Sequence, residues 1–101
     1  MEIKYPLGNY NKEDAYQKID SFLDGLVNQY QKMIANPQKK WNESKDVMDF
    51  GFTAKGFNIS GDIKINNNHL ILNGKLPFAA SFFKGTIERM ITEKLDELFV
   101  K

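Results

Sequence analysis

His69 is the single histidine of this 101-residue chain, and cysteine is absent. Those two side chains supply many of the general bases, nucleophiles and soft metal ligands that work near neutral pH. His69 stands beside Asn67-Asn68 at the start of an apolar alternation and reads as a surface turn residue. General-base or metal work needs a second group to orient the ring or share the task, and no partner can be named for it. No serine sits in a nucleophile-elbow context, and no glycine loop of the phosphate-binding type opens a helix. We therefore expect no enzyme activity, no cofactor and no metal. Without thiols there is no disulfide framework either, which is compatible with a reducing, cytoplasmic setting.

Two cross-strand pairings hold more. If Lys55-Gly56 is a two-residue hairpin turn, Asp49 lies directly across from Asp62 on a polar face, a mildly repulsive arrangement. Moving the turn to Gly56-Phe57 would set Asp49 against Lys64 instead; Lys75 on the next strand would neutralise Asp62; or a cation would bridge the pair, although calcium takes six or more oxygens. The same register places Gly61 opposite Gly74 and beside Phe50 on the inward face, leaving a patch where side chains are missing. Close-packed interiors call for a filler, either Phe50, Phe82 or Phe83 or a helix in close approach. The alternative is an apolar ligand site lined by Phe50, Gly61, Gly74, Phe82 and Phe83.

Lys55-Gly56-Phe57 opens like an RNA-recognition signature, but Asn58, Ile59 and Asp62 stand where a small residue and two aromatics belong. A net charge of +1, with no basic block beyond Lys39-Lys40, offers no footprint for a polyanion, and no nucleic-acid partner is expected.

The elements that must position these residues follow from periodicity. Ile3, Tyr5 and Leu7 alternate as a short strand ended by Pro6-Leu7-Gly8-Asn9. Asn11, with Glu13 and Asp14 behind it, is an N-cap signal with carboxylates in the first turn. Ala15, Ile19, Phe22, Leu23, Leu26, Val27, Tyr30, Met33 and Ile34 then recur at helical spacing, which predicts one helix until Asn36-Pro37. From Pro37 to Asp46 the composition is polar around Trp41, predicting a loop whose indole lids the core. The period changes to two through Met48, Phe50, Phe52 and Ala54, then Phe57, Ile59, Gly61, Ile63 and Ile65, then Leu70, Leu72, Gly74 and Leu76, predicting three strands with turns at Lys55-Gly56 and Asn67-Asn68. After Leu76-Pro77 a second helix is expected at once, with Phe83, Ile87, Met90, Ile91, the Lys94 stem, Leu95 and Leu98 along its buried stripe.

The order is β-α-β-β-β-α, an α+β fold with both helices on the apolar face of an antiparallel sheet. The length suits one domain over residues 1–101, and 42% hydrophobic residues supply its core. The outer face would show Thr53, Asn58, Ser60, Asp62, Lys64, Asn73 and Lys75, interrupted by Val47 and Ile71. Met1 to Tyr10 lacks a signal-peptide pattern and no apolar run is long enough for a membrane span, so the mature protein is expected to be the whole chain.

Several of these segments, taken together, resemble a known group of small bacterial proteins. Glu13-Asp14-Ala15 in the capped helix, Trp41, the stretch from Phe57 to Ile65 with Gly61-Asp62-Ile63, Leu76-Pro77, Phe83-Lys84-Gly85, Ile87-Glu88 and Leu95-Asp96 are similar to the polyhydroxyalkanoic acid system family. Tyr5-Pro6-Leu7 departs from the histidine-bearing opening of relatives. The resemblance implies a bacterial cytoplasmic protein linked mainly by gene neighbourhood with polyester storage granules, and it implies no established activity or site. Two classes of function follow: a non-catalytic protein that binds the granule surface or a small apolar ligand, and an interaction module that self-associates weakly through its outer sheet face or an edge strand.

Overall fold

The computed structural model describes residues 1–99. Its strands are β1 (Glu2–Pro6), β2 (Ile34–Trp41), β3 (Val47–Ala54), β4 (Phe57–Ile65) and β5 (His69–Lys75), and its helices α1 (Lys12–Asp20), α2 (Phe22–Gln29) and α3 (Lys84–Leu98), with a 3-10 turn over Phe78–Phe83 leading into α3. The five strands form one antiparallel sheet in the order β1-β5-β4-β3-β2. This is the expected α+β architecture, with one more strand than the alternation announced.

The hairpin turns explain why the register is sharp. Lys55 and Gly56 both adopt positive φ, 51° and 84°, the pair of values that a two-residue turn matched to the strand twist requires. Ala54 therefore faces Phe57, and every second residue back along β3 and β4 falls on the same side. Met48, Phe50, Phe52, Ala54, Ile59, Ile63, Ile65, Leu70 and Leu72 are buried on that side. A slip of one residue would turn all of them to water.

The helices cover this face. Asn11 caps α1 by accepting from the Asp14 backbone N–H at 2.8 Å, and Ala15, Ile19, Phe22, Leu23 and Leu26 are buried as their spacing predicts. The single long helix is, however, two helices meeting at Ser21, whose hydroxyl donates to the Lys18 carbonyl at 2.9 Å. A serine bonded back to its own helix offers the backbone an alternative to the helical ladder. α2 then ends at Gln29, where Met33 and Ile34 both donate to the Tyr30 carbonyl. Ile34 continued the helical spacing by coincidence; its burial comes from standing opposite Ala54 in the sheet.

The predicted loop around Trp41 is the edge strand β2. Its alternation is hidden because the register shifts between Ala35 and Gln38, with Asn36 at φ 56° and Pro37 inside the irregularity. Bulges and prolines are features that edge strands tolerate, and together with Lys39 and Lys40 they discourage pairing with another chain. On the third helix, Ile87, Met90, Ile91 and Leu95 are buried as expected. The Lys94 stem runs over Gly25 of α2, and its ammonium reaches Glu97 at 3.1 Å. Tyr5 of β1 donates to the Asp96 carboxylate at 2.6 Å, tying the sheet edge to α3. Burial, and then that carboxylate, push the Tyr5 hydroxyl pKa well above its ordinary value.

Candidate functional site

The glycine patch has the predicted register and a different content. Phe50 faces Gly61, and Gly61 faces Gly74. A Cβ placed on Gly61 would run into the backbone carbonyl of Asn73, and one placed on Gly74 would meet the tip of the Met1 side chain. The missing side chains thus let strand backbone approach at one position and admit a methionine at the other. Phe50 is buried and stacked on Phe52, ring centroids 6.0 Å apart. Phe83 is buried against Phe57 at 5.6 Å. Phe57 lies four residues along β4 from Gly61, about 13 Å at strand spacing. Phe82 does not line the space between sheet and helices, because its ring is 78% exposed.

Phe82 is instead half of a feature that helical spacing concealed. Residues 78–83 form a 3-10 turn, in which positions three apart share one line. Ala80 and Phe83 lie on the inward line and are buried. The two remaining lines point outward, and each carries a phenylalanine: Phe82 and Phe78, the latter 93% exposed. They are the two large exposed hydrophobic residues among those described. A 3.6-residue repeat traced back from Phe83 gives no warning of this, and Phe78 was not singled out by sequence reasoning. The signal that would have found it is the run Phe-Ala-Ala-Ser-Phe-Phe after Pro77, three phenylalanines in six residues that cannot all face one core.

The surroundings brace the turn. Phe82 packs edge-on against Phe83 at 4.8 Å, and Phe83 packs against Phe57. Lys55, at the adjoining hairpin turn, carries its ammonium 5.7 Å from the centre of the Phe83 ring, within cation–π range. Lys84 follows directly, with Glu88 at 3.8 Å, and Lys75 ends β5 just before Leu76-Pro77. Two phenylalanines left in water forgo about 1.5–3 kcal/mol each relative to full burial. Large apolar side chains that form a patch in the open are a feature of contact surfaces.

The polar residues resolve differently. Asp49 does stand across from Asp62, and Lys75 faces Ser60, so neither the shifted turn nor Lys75 in direct register relieves the pair. Lys40 of the strand that sequence reading missed faces Asp49. Asp62 faces Asn73 on its other side, and its enclosed Oδ1 has no hydrogen-bond partner. No group of three or more histidine, cysteine, aspartate or glutamate side chains among the described residues is placed to hold a metal. His69 is half-buried, with Nε2 3.5 Å from the Asn66 amide.

Trp41 donates through its indole N–H to Asp20 at 2.9 Å, while Lys39 reaches the same carboxylate oxygen at 2.9 Å. Tyr16 packs on the indole at 4.7 Å. The hydrogen bond from Lys39, then that from Trp41, hold the Asp20 carboxyl below its ordinary pKa. This cluster clamps β2 to the end of α1.

The fold is a small α+β layer, with Phe78 and Phe82 the large hydrophobic side chains left exposed among the described residues. The family model described as "Putative polyhydroxyalkanoic acid system protein" matches residues 9–99, and the chain belongs to that family. The match begins after Tyr5-Pro6-Leu7. No curated protein and no solved structure matches the chain.

Proposed function

We propose that this chain is a non-catalytic, cytoplasmic protein that attaches to the surface of polyester storage granules through the tip formed by Phe78 and Phe82. Family membership supports the granule as the destination. The observation that carries the mode of attachment is the exposure of two phenylalanines, 93% and 78%, on one short turn braced by Phe83 and Phe57. Attachment at a surface accounts for these rings better than a ligand held between the layers does, because the glycine positions that invited such a ligand are met by the Asn73 backbone and by Met1. Self-association through β2 is disfavoured by its bulge, its proline and its lysines.

The test is co-sedimentation with native granules isolated from a polyester-accumulating bacterium. Wild-type protein should sediment with the granules, and a Phe78→Ser/Phe82→Ser double variant with an unchanged melting curve should remain in solution. Equal sedimentation of the two proteins, or none of the wild type, would refute the reading.

A further inference from the structure

We infer that the surface met by the tip is an anionic phospholipid layer and not bare polymer; this rests on the attachment reading and names the chemistry of the same site. Phe78 and Phe82 do not stand alone. Lys55 lies over the Phe83 ring, Lys84 opens α3 immediately after it, and Lys75 closes β5 three residues before Phe78. Three lysines therefore flank the turn that carries the two rings, Lys55 through the Phe83 ring and Lys75 and Lys84 along the chain on either side of it. Residues 63–87 contain no aspartate or glutamate, and Glu88, one turn into α3, is the first acidic residue after the tip, 3.8 Å from Lys84. The chain as a whole is nearly neutral, at +1, so this charge is local.

The ester carbonyls of an uncharged polyester accept hydrogen bonds but offer lysines no counter-charge, and desolvating ammonium groups against it is unfavourable. An anionic lipid layer satisfies both halves of the tip. The rings enter the acyl boundary, while the lysine stems lie along it and hold their ammonium groups at headgroup level. Lysines near an anionic membrane surface each strengthen binding several-fold, so three of them should raise the partition coefficient roughly 10- to 100-fold over a neutral surface. That contribution is screened by salt over a Debye length of about 8–10 Å.

Three surfaces separate the outcomes: vesicles of phosphatidylcholine, vesicles of phosphatidylcholine containing phosphatidylglycerol, and bare polyester particles. Wild-type protein should prefer the phosphatidylglycerol vesicles by the stated factor and lose the preference in high salt. Lys55→Gln/Lys75→Gln/Lys84→Gln should abolish the preference at unchanged melting temperature, and Phe78→Ser/Phe82→Ser should weaken binding to the same vesicles. Equal binding to both kinds of vesicle, or tight binding to bare polyester that the lysine variant retains, would overturn the lipid inference while leaving granule attachment intact. Failure to sediment with native granules defeats the attachment reading whatever the vesicles show. Sedimentation velocity adds one more check, since a dimer that the phenylalanine variant dissolves would assign the tip to a second copy and overturn the inference.

Discussion

The two ends of the aromatic inventory behave in opposite ways. Between sheet and helices, Phe22, Phe50, Phe52 and Phe83 are shut away with their aliphatic neighbours, and even the glycine positions are occupied by backbone or by Met1. At the tip, Phe78 and Phe82 stand largely in water, Phe82 touching only the edge of the Phe83 ring among the aromatic contacts described. The same residue type is thus used once inside the fold and once on its surface. What differs is the periodicity of the backbone beneath: a two-residue repeat buries Phe50 and Phe52, while a three-residue repeat turns Phe78 and Phe82 outward.

That contrast can be broken by measurement. The largest effects should come from the interior. Leu26→Ala and Ile87→Ala empty fully enclosed sites on α2 and α3 and should each destabilise by about 2–5 kcal/mol in urea melts; losses below about 0.5 kcal/mol for both would mean that the helices do not close the core. Gly61→Val comes next. Its side chain would press on the Asn73 carbonyl, which is strand backbone and cannot swing aside, so a loss of about 1–3 kcal/mol or more is expected. Gly74→Val should be milder, because the Met1 side chain it meets is flexible. A Gly74 variant less stable than the Gly61 variant would show that Met1 is fixed more firmly than its chemistry implies.

A smaller effect belongs to the Asp20 clamp. Its folded pKa is lowered by Lys39 and Trp41, so the clamp's stabilisation is present above the unfolded carboxylate value, about 3.9, and is lost as pH falls through the lower folded value. With the Asp20 side chain 41% exposed, solvent screening limits the pair to at most about 1 kcal/mol. Asp20→Asn should therefore remove a modest part of the acid dependence of stability, and a variant whose melts against pH overlay those of the wild type would exclude the clamp. The smallest effect is expected at the tip, where Phe78→Ser and Phe82→Ser should leave stability within about 0.5 kcal/mol. A larger loss would make these rings part of the core.

Legibility followed the strength of each local signal. The β3-β4-β5 meander could be read because Lys55-Gly56 and Asn67-Asn68 fix turns between uninterrupted alternations, and the resulting register placed Asp49 against Asp62 and Gly61 against Gly74. β2 escaped because a bulge at Asn36-Pro37 breaks its alternation and solvent covers much of it, leaving lysine and glutamine where a central strand would show valine or isoleucine. The break at Ser21 escaped because the apolar stripe continues across it. Of the candidate site, the sequence pattern points Phe82 inward and gives Phe78 no place, since a short 3-10 turn leaves no periodic signature of its own.

The most direct measurement is hydroxyl-radical footprinting of the protein free in solution and bound to native granules. Attachment through the tip predicts that oxidation of Phe78 and Phe82 falls several-fold on binding, while Trp41 and Tyr16, clamped at the far edge of the sheet, keep their free-state rates. Unchanged oxidation at the two phenylalanines, or protection centred on the outer face around Val47 and Ile71, would contradict it.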